Sequence, residues 1–167
     1  MALNSIPNVL CMQQAVGAEM GTVLVPSFDY RHPANYGGLS LGQFEAGESV
    51  PVVTLDSLNL RHCHFIKIDV EGMEQQVLTG ARELLTRTKP ALYVENDREA
   101  KSGDLIRLLD SLDYNMYWHF VSYYNPNNFF GNVNNVFGNT VAKNMLCVHK
   151  SVPQNLSGFT KVAAVVG

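Results

Sequence analysis

The stretch Cys63-His64-Phe65-Ile66-Lys67-Ile68-Asp69-Val70 constrains this chain more than any other part of it. It is a mostly apolar run, of the kind that a strand covered on both faces produces. Glu71-Gly72-Met73-Glu74 follows at once. Met73, Val77, Ala81, Leu84 and Leu85 then recur at the intervals of an apolar helical stripe. Glu71 and Glu74 fall at or near its first turn, where exposed backbone N–H groups favour carboxylates. Thr88-Lys89-Pro90 ends the helix, and Ala91-Leu92-Tyr93-Val94-Glu95 reads as the next strand. A second helix is expected with Ser102 or Asp104 as its cap and Leu105, Leu108, Leu109 and Leu112 inward. Residues 115–120 and 144–149 supply two late strands. Strands alternating with helices require crossover connections, so the expected fold is an open α/β sandwich with a mostly parallel sheet and helices on both faces. A loop joins the last two strands, so one of them is expected to run antiparallel at the edge.

The N-terminal part is less decisive. Residues 9–12, 21–26 and 52–55 read as short strands, and residues 27–50 as loop. No repeat or linker divides the 167 residues, so residues 1–167 are expected to form one domain. Hydrophobic residues at 46% against 16% charged are enough to bury a core. Twelve Lys and Arg against fifteen Asp and Glu give a net charge of −3, which argues against the basic face of a nucleic-acid binder. Cys11, Cys63 and Cys147 are scattered and have no metal-ligand spacing, so they read as reduced core thiols of a cytoplasmic protein. No apolar run approaches the roughly 18 residues of a membrane span. The N-terminus shows no signal-peptide pattern.

In an open α/β sheet, ligands bind beyond the carboxyl ends of the strands. That rule gathers Asp69, Glu71, Glu95, Asn96 and the loop after Phe120 on one rim. Lys67, Asp69 and Glu71 share one side at period two. A charged trio ending a buried strand is costly unless paired or used. Asp69 is either a helix cap or a residue that holds a polar ligand group or acts as general base. Glu95-Asn96-Asp97 is either an acidic turn or, with Asp69, a source of hard oxygen ligands: Asp69, Glu95 and Asn96 suit Mg²⁺. The Asn- and aromatic-rich segment 125–139 is either self-organised through asparagine turns or a substrate lid. In a lid, amides such as those of Asn125 and Asn128 would bond a polyhydroxylated or amide substrate while the rings exclude water. His119, just upstream, is a candidate acid/base for that substrate or a hydrogen-bonded structural group. Gly37-Gly38-Leu39-Ser40-Leu41-Gly42 is not a dinucleotide fingerprint, and no phosphate-loop, zinc or serine-hydrolase motif is present.

The ordered series Val52-Val53-Thr54-Leu55-Asp56-Ser57-Leu58, Phe65-Ile66-Lys67-Ile68-Asp69-Val70-Glu71-Gly72-Met73-Glu74, Val77-Leu78-Thr79-Gly80-Ala81, Lys89-Pro90 and Glu95 closely resembles the FkbM family of methyltransferases. The resemblance runs from near residue 3 to at least Asn96. It implies a Rossmann-like class I methyltransferase fold that uses S-adenosylmethionine, usually to methylate a hydroxyl oxygen. By the same resemblance Asp69 lies beside the methyl donor, Ala15-Val16-Gly17 borders the adenine, and Leu3-Asn4 ends the helix after the second family strand. Family members open with a strand, a glycine-rich loop for the methionine part of the cofactor, and a second strand ending in an acid for the ribose. This chain starts after both, and Gly17 is its first glycine. It is therefore expected to be an N-terminally truncated member lacking two central strands. Such a chain should hold the cofactor weakly by itself and associate with copies of itself through unpaired edges.

The leading expectation is an S-adenosylmethionine-dependent O-methyltransferase acting on a small-molecule or sugar hydroxyl, with Asp69, Glu71 and Glu95 as its catalytic carboxylates. The alternatives are a non-catalytic remnant or substrate-binding module of that fold, and a different α/β enzyme such as a sugar-nucleotide transferase.

Overall fold

A computed structural model describes residues 5–29, 31–33, 35–42 and 44–163. Leu3 and Asn4 lie outside the described residues. The elements run β1 (Ala15–Val16), β2 (Gly21–Val25), β3 (Glu48–Val53), a short 3-10 turn (Asp56–Leu58) and β4 (Phe65–Ile68). They continue with α1 (Glu74–Thr79), α2 (Arg82–Thr88), β5 (Ala91–Glu95), α3 (Glu99–Ser111), β6 (Tyr114–Ser122), β7 (Val141–His149) and β8 (Thr160–Lys161). They form an α/β structure with two sheets, one ordered β1-β3-β2 and the other β4-β5-β7-β6-β8.

The expectation of a mostly parallel sheet is corrected: the large sheet is mixed. β4 and β5 are parallel, as the crossover through α1 and α2 requires. β7 runs antiparallel to β5 and β6, and β8 antiparallel to β6. The β6–loop–β7 hairpin brings the chain back without a crossover helix, and β7 inserts between β5 and β6 instead of lying at the edge.

Helices on both faces are likewise not what the chain builds. One buried cluster joins Leu78 of α1, Leu85 of α2 and Leu105 and Leu109 of α3 to Ile68, Leu92, Val94, Met116, Met145 and Cys147 of the sheet. By the two-residue period of a strand, all of these sheet residues point to one face. Three short helices are enough to cover that face. The other face carries Lys67, Tyr93, Leu146 and Tyr117, which are opposite one another in register and only partly buried or exposed.

The stripe from Met73 to Leu85 does not form one helix. It breaks at Gly80, where a Cβ would lie 2.2 Å from the Gly17 carbonyl oxygen. The segment after β1 docks on that bare backbone. Asp56 restarts the helix from a distance: its carboxylate accepts from the N–H groups of Glu83 (3.1 Å) and Leu84 (2.8 Å) at the start of α2. Lys89, in the left-handed region at φ 50°, ends α2 before the buried Pro90.

Residues 9–12 are not a strand. Leu10 is 83% exposed, and an apolar run with no partner strand has no ladder to join. α3 starts at Glu99, ahead of Ser102 and Asp104, with Arg98 at its N-cap. Asp104 instead pairs with Arg107 one turn on. Of the cysteines, only Cys147 is a core thiol; Cys11 is exposed and Cys63 half-buried.

Candidate functional site

β4 and β5 end side by side, with Lys67 opposite Tyr93 and Ile68 opposite Val94. The next residues in phase, Asp69 and Glu95, therefore project from the same rim and the same open face. The chain turns sharply after Val70: Glu71 and Gly72 have φ values of 52° and 91°. The left-handed conformation of Glu71 costs on the order of 1 kcal/mol or more in a residue with a Cβ. Three contacts hold it there. The Ser40 hydroxyl donates to the Glu71 carbonyl, Arg98 Nη2 donates to Glu71 Oε2 at 2.6 Å, and the buried Glu74 accepts from the Gly72 N–H at 2.9 Å. Lys101 Nζ also donates to the Gly72 carbonyl, at 2.7 Å.

The turn returns the Glu71 carboxylate to the rim. Asp69, Glu71 and Glu95 each place a carboxylate oxygen within 4.8 Å of the others. Two of the three are compensated, Asp69 by Lys67 and Glu71 by Arg98, which also reaches Asp97 at 3.4 Å. Glu95 has no cation in direct contact, and its buried Oε2 has no hydrogen-bond partner among the described residues. Burial first, then the negative charges of Asp69, Asp97 and Glu71, push the Glu95 carboxyl up from an ordinary 4.5 to about 7. When protonated, Glu95 donates a hydrogen bond to Asp69, which adds to the shift. Near neutrality this carboxyl can therefore either take or give a proton.

Asn96 is buried beside the cluster, and its Nδ2 donates to the Met145 sulfur at 3.3 Å, so Glu71 is the third residue of the rim cluster. Across the sheet, Glu95 is paired in register with the buried Asn144, and Asn144 with His119. His119 Nδ1 lies 2.7 Å from the Tyr93 hydroxyl. Burial raises the Tyr93 phenol above its usual range. Tyr93 and Asn144 were not picked out from the sequence. Tyr93 stands two residues before Glu95 on the same face, and Asn144 is a lone amide at the start of the apolar run 144–149; both signals were legible.

Ala15, Val16 and Gly17 lie elsewhere. Ala15 and Val16 pair with Val52 and Val53, and Gly17 N donates to the Val53 carbonyl at 3.0 Å. Gly17 touches Gly80 just past the end of α1, whereas Asp69 and Glu71 precede its start. Asn125 and Asn128 sit in the loop joining β6 and β7. Asn128 Oδ1 accepts from Asn132 N at 3.0 Å and its Nδ2 donates to the Asn132 carbonyl at 2.8 Å, while Asn125 Oδ1 accepts from Asn127 N at 2.9 Å. These are turn-forming bonds within the loop.

Three carboxylates with one unpartnered buried oxygen favour a positively charged group or a hydroxyl hydrogen over an anion. Among the described residues, no helix is long and apolar enough to cross a membrane.

The family model described as the methyltransferase FkbM domain matches residues 12–116. That span runs from before β1 to the start of β6 and contains Asp69, Glu71 and Glu95. No curated protein and no solved structure gives a significant match. The matched residues make up more than half of the chain, and the chain belongs to the FkbM methyltransferase family.

Proposed function

We propose that this chain serves S-adenosylmethionine-dependent methylation of a hydroxyl oxygen on a small molecule or sugar in the cytoplasm, with Glu95 as the proton acceptor. The observation that carries this reading is a carboxyl pushed to about 7, with a buried oxygen that has no partner, at the C-terminal rim of the parallel strand pair. When bound, S-adenosylmethionine would supply an electrophilic methyl carbon, its sulfonium becoming a neutral thioether. Asp69 and Glu71 would hold its positive charge, and Ala15, Val16 and Gly17 would border its adenine. Glu95 accepts the proton of the acceptor hydroxyl as the new carbon–oxygen bond forms. Asp69, held by Lys67, receives the hydrogen bond of the newly protonated Glu95. Fixing the hydroxyl beside the base supplies the remaining advantage through orientation. The three unpaired cysteines suit a reducing compartment.

Lys67 and Arg98 already hold two of the three carboxylates. Their charges already offset much of the local negative charge, so proton transfer is assigned to Glu95 without a metal, and chelation should leave turnover unchanged.

Transfer of labelled methyl groups from S-adenosylmethionine to a panel of hydroxyl acceptors tests the reading, with Glu95→Gln beside the parent chain. Loss of the base should lower turnover by roughly two to four orders of magnitude. In the parent chain kcat/KM should rise with pH through about 7. Equal turnover in the two chains would remove Glu95 as the base. Acceptor binding without any transfer would leave a substrate-binding module.

A further inference from the structure

β6 and β7 continue past the carboxylate rim. Beyond the Glu95–Asn144–His119 level they pair for three more positions, up to Ser122 opposite Val141, and Tyr123 N donates to the Thr140 carbonyl at 3.1 Å. The loop from Tyr123 to Thr140 therefore begins roughly 13 Å beyond Glu95 at the rise of a strand residue. From Phe120 to Ala142 the chain carries no Asp, Glu, Lys or Arg.

The loop is stiffened from within. Besides the bonds of Asn125 and Asn128, Asn132 Oδ1 accepts from Asn134 N at 3.0 Å, Asn135 Nδ2 donates to the Gly138 carbonyl at 2.8 Å, and Tyr124 donates to the Asn132 carbonyl at 3.1 Å. The side-chain amide of Asn134 and Nδ2 of Asn132 have no partner among the described residues. A cavity of about 450 Å³ opens among Tyr123, Tyr124, Phe130, Phe137, Asn132 and Asn134. Phe130 is 89% exposed and stands edge to face with Phe129, which is 95% exposed. Rings held this far into water by a pre-organised loop mark a binding surface.

We propose that this loop is a subsite for a neutral oligosaccharide, the extended end of the hydroxyl acceptor; the proposal rests on the methyl-transfer reading above. Alternating amides and rings match the alternating hydroxyl edges and C–H faces of a sugar. The absence of charge disfavours sugar phosphates and uronic acids, and so do the carboxylates at the rim. The loop carries none of the Lys or Arg that draws a segment to an anionic membrane surface. The distance from loop to rim exceeds one sugar ring, so an acceptor seated in both places is an oligomer.

Saturation-transfer NMR on the full chain tests this without the methyl donor. The probes are neutral tri- and tetrasaccharides of glucose, galactose and mannose, with oligouronides and phosphatidylcholine–phosphatidylserine vesicles as comparators. Transfer from aromatic protons to the neutral sugars is expected, with affinity at least about tenfold weaker in Phe130→Ala and in Asn134→Ala. Both variants should keep the parent's amide spectrum outside the loop, because neither side chain is buried. No binding, equal binding by both variants, or binding of only oligouronides or vesicles would overturn the proposal. Sugar binding with no methyl transfer to any acceptor would uphold the subsite and overturn the methyl-transfer reading. Methylation of a non-saccharide without sugar binding would do the reverse.

Discussion

Replacing Glu95 by Gln should stabilise the protein at pH 8 and erase part of its pH dependence. Glu95 holds its proton more tightly in the fold than in the unfolded chain, at about 7 against 4.5. The folded state therefore binds more protons between those values, and stability falls as pH rises. The favourable contribution is complete below about 4.5 and is lost as pH rises through about 7. At 1.36 kcal/mol per pH unit, discounted for solvent at the rim, that amounts to roughly 2–3 kcal/mol. Gln keeps the shape, cannot ionise, and can still donate a hydrogen bond to Asp69. Urea denaturation of both chains at pH 4.5 and pH 8 gives the double difference, in which effects of Gln that do not depend on pH cancel. Glu95→Gln should gain roughly 2–3 kcal/mol relative to the parent between the two pH values, or about 5–10 °C in Tm at this chain length. Parallel pH profiles for the two chains would refute the electrostatic account of the rim.

Gly80→Ala puts a Cβ against the Gly17 carbonyl oxygen and should cost roughly 1–3 kcal/mol as the β1 segment is pushed off α1; an unchanged Tm would show that this junction is not tightly packed. Asp56→Ala removes the acceptor for the first N–H groups of α2 and should cost about 1 kcal/mol, with Asp56→Asn losing less; equal losses in both variants would argue against a capping role. β4 lies at the edge of the large sheet and presents Phe65, which is 57% exposed. The chain should therefore associate with itself in light scattering and Phe65→Lys should reduce that association; a monomeric parent at high concentration would contradict this.

The middle of the chain was legible because each local signal agreed with the tertiary environment. The run 63–70 lost only its ends to become β4, and residues 91–95 became β5 as read. The rim followed from the parallel pairing of those two strands, and Glu71 joined it through a backbone turn that alternation alone does not describe. The break falls at Gly80, which packs against Gly17 far away in the sequence, and no helical period reveals such a contact. Residues 9–12 have the composition of a strand, but a strand is defined by its partner. The asparagines of the loop make the turns their composition allows, while Phe129 and Phe130 stand exposed.

The central claim, that Glu95 is poised to exchange a proton near neutrality, is tested most directly by a ¹³C NMR titration of its side-chain carboxyl. The midpoint should lie near 7 in the parent chain. It should fall in Asp69→Asn while staying above the ordinary value of 4.5, because burial is the larger cause and the neighbouring charge the smaller. A midpoint near 4.5 in the parent chain, or one that does not move in Asp69→Asn, would contradict the account.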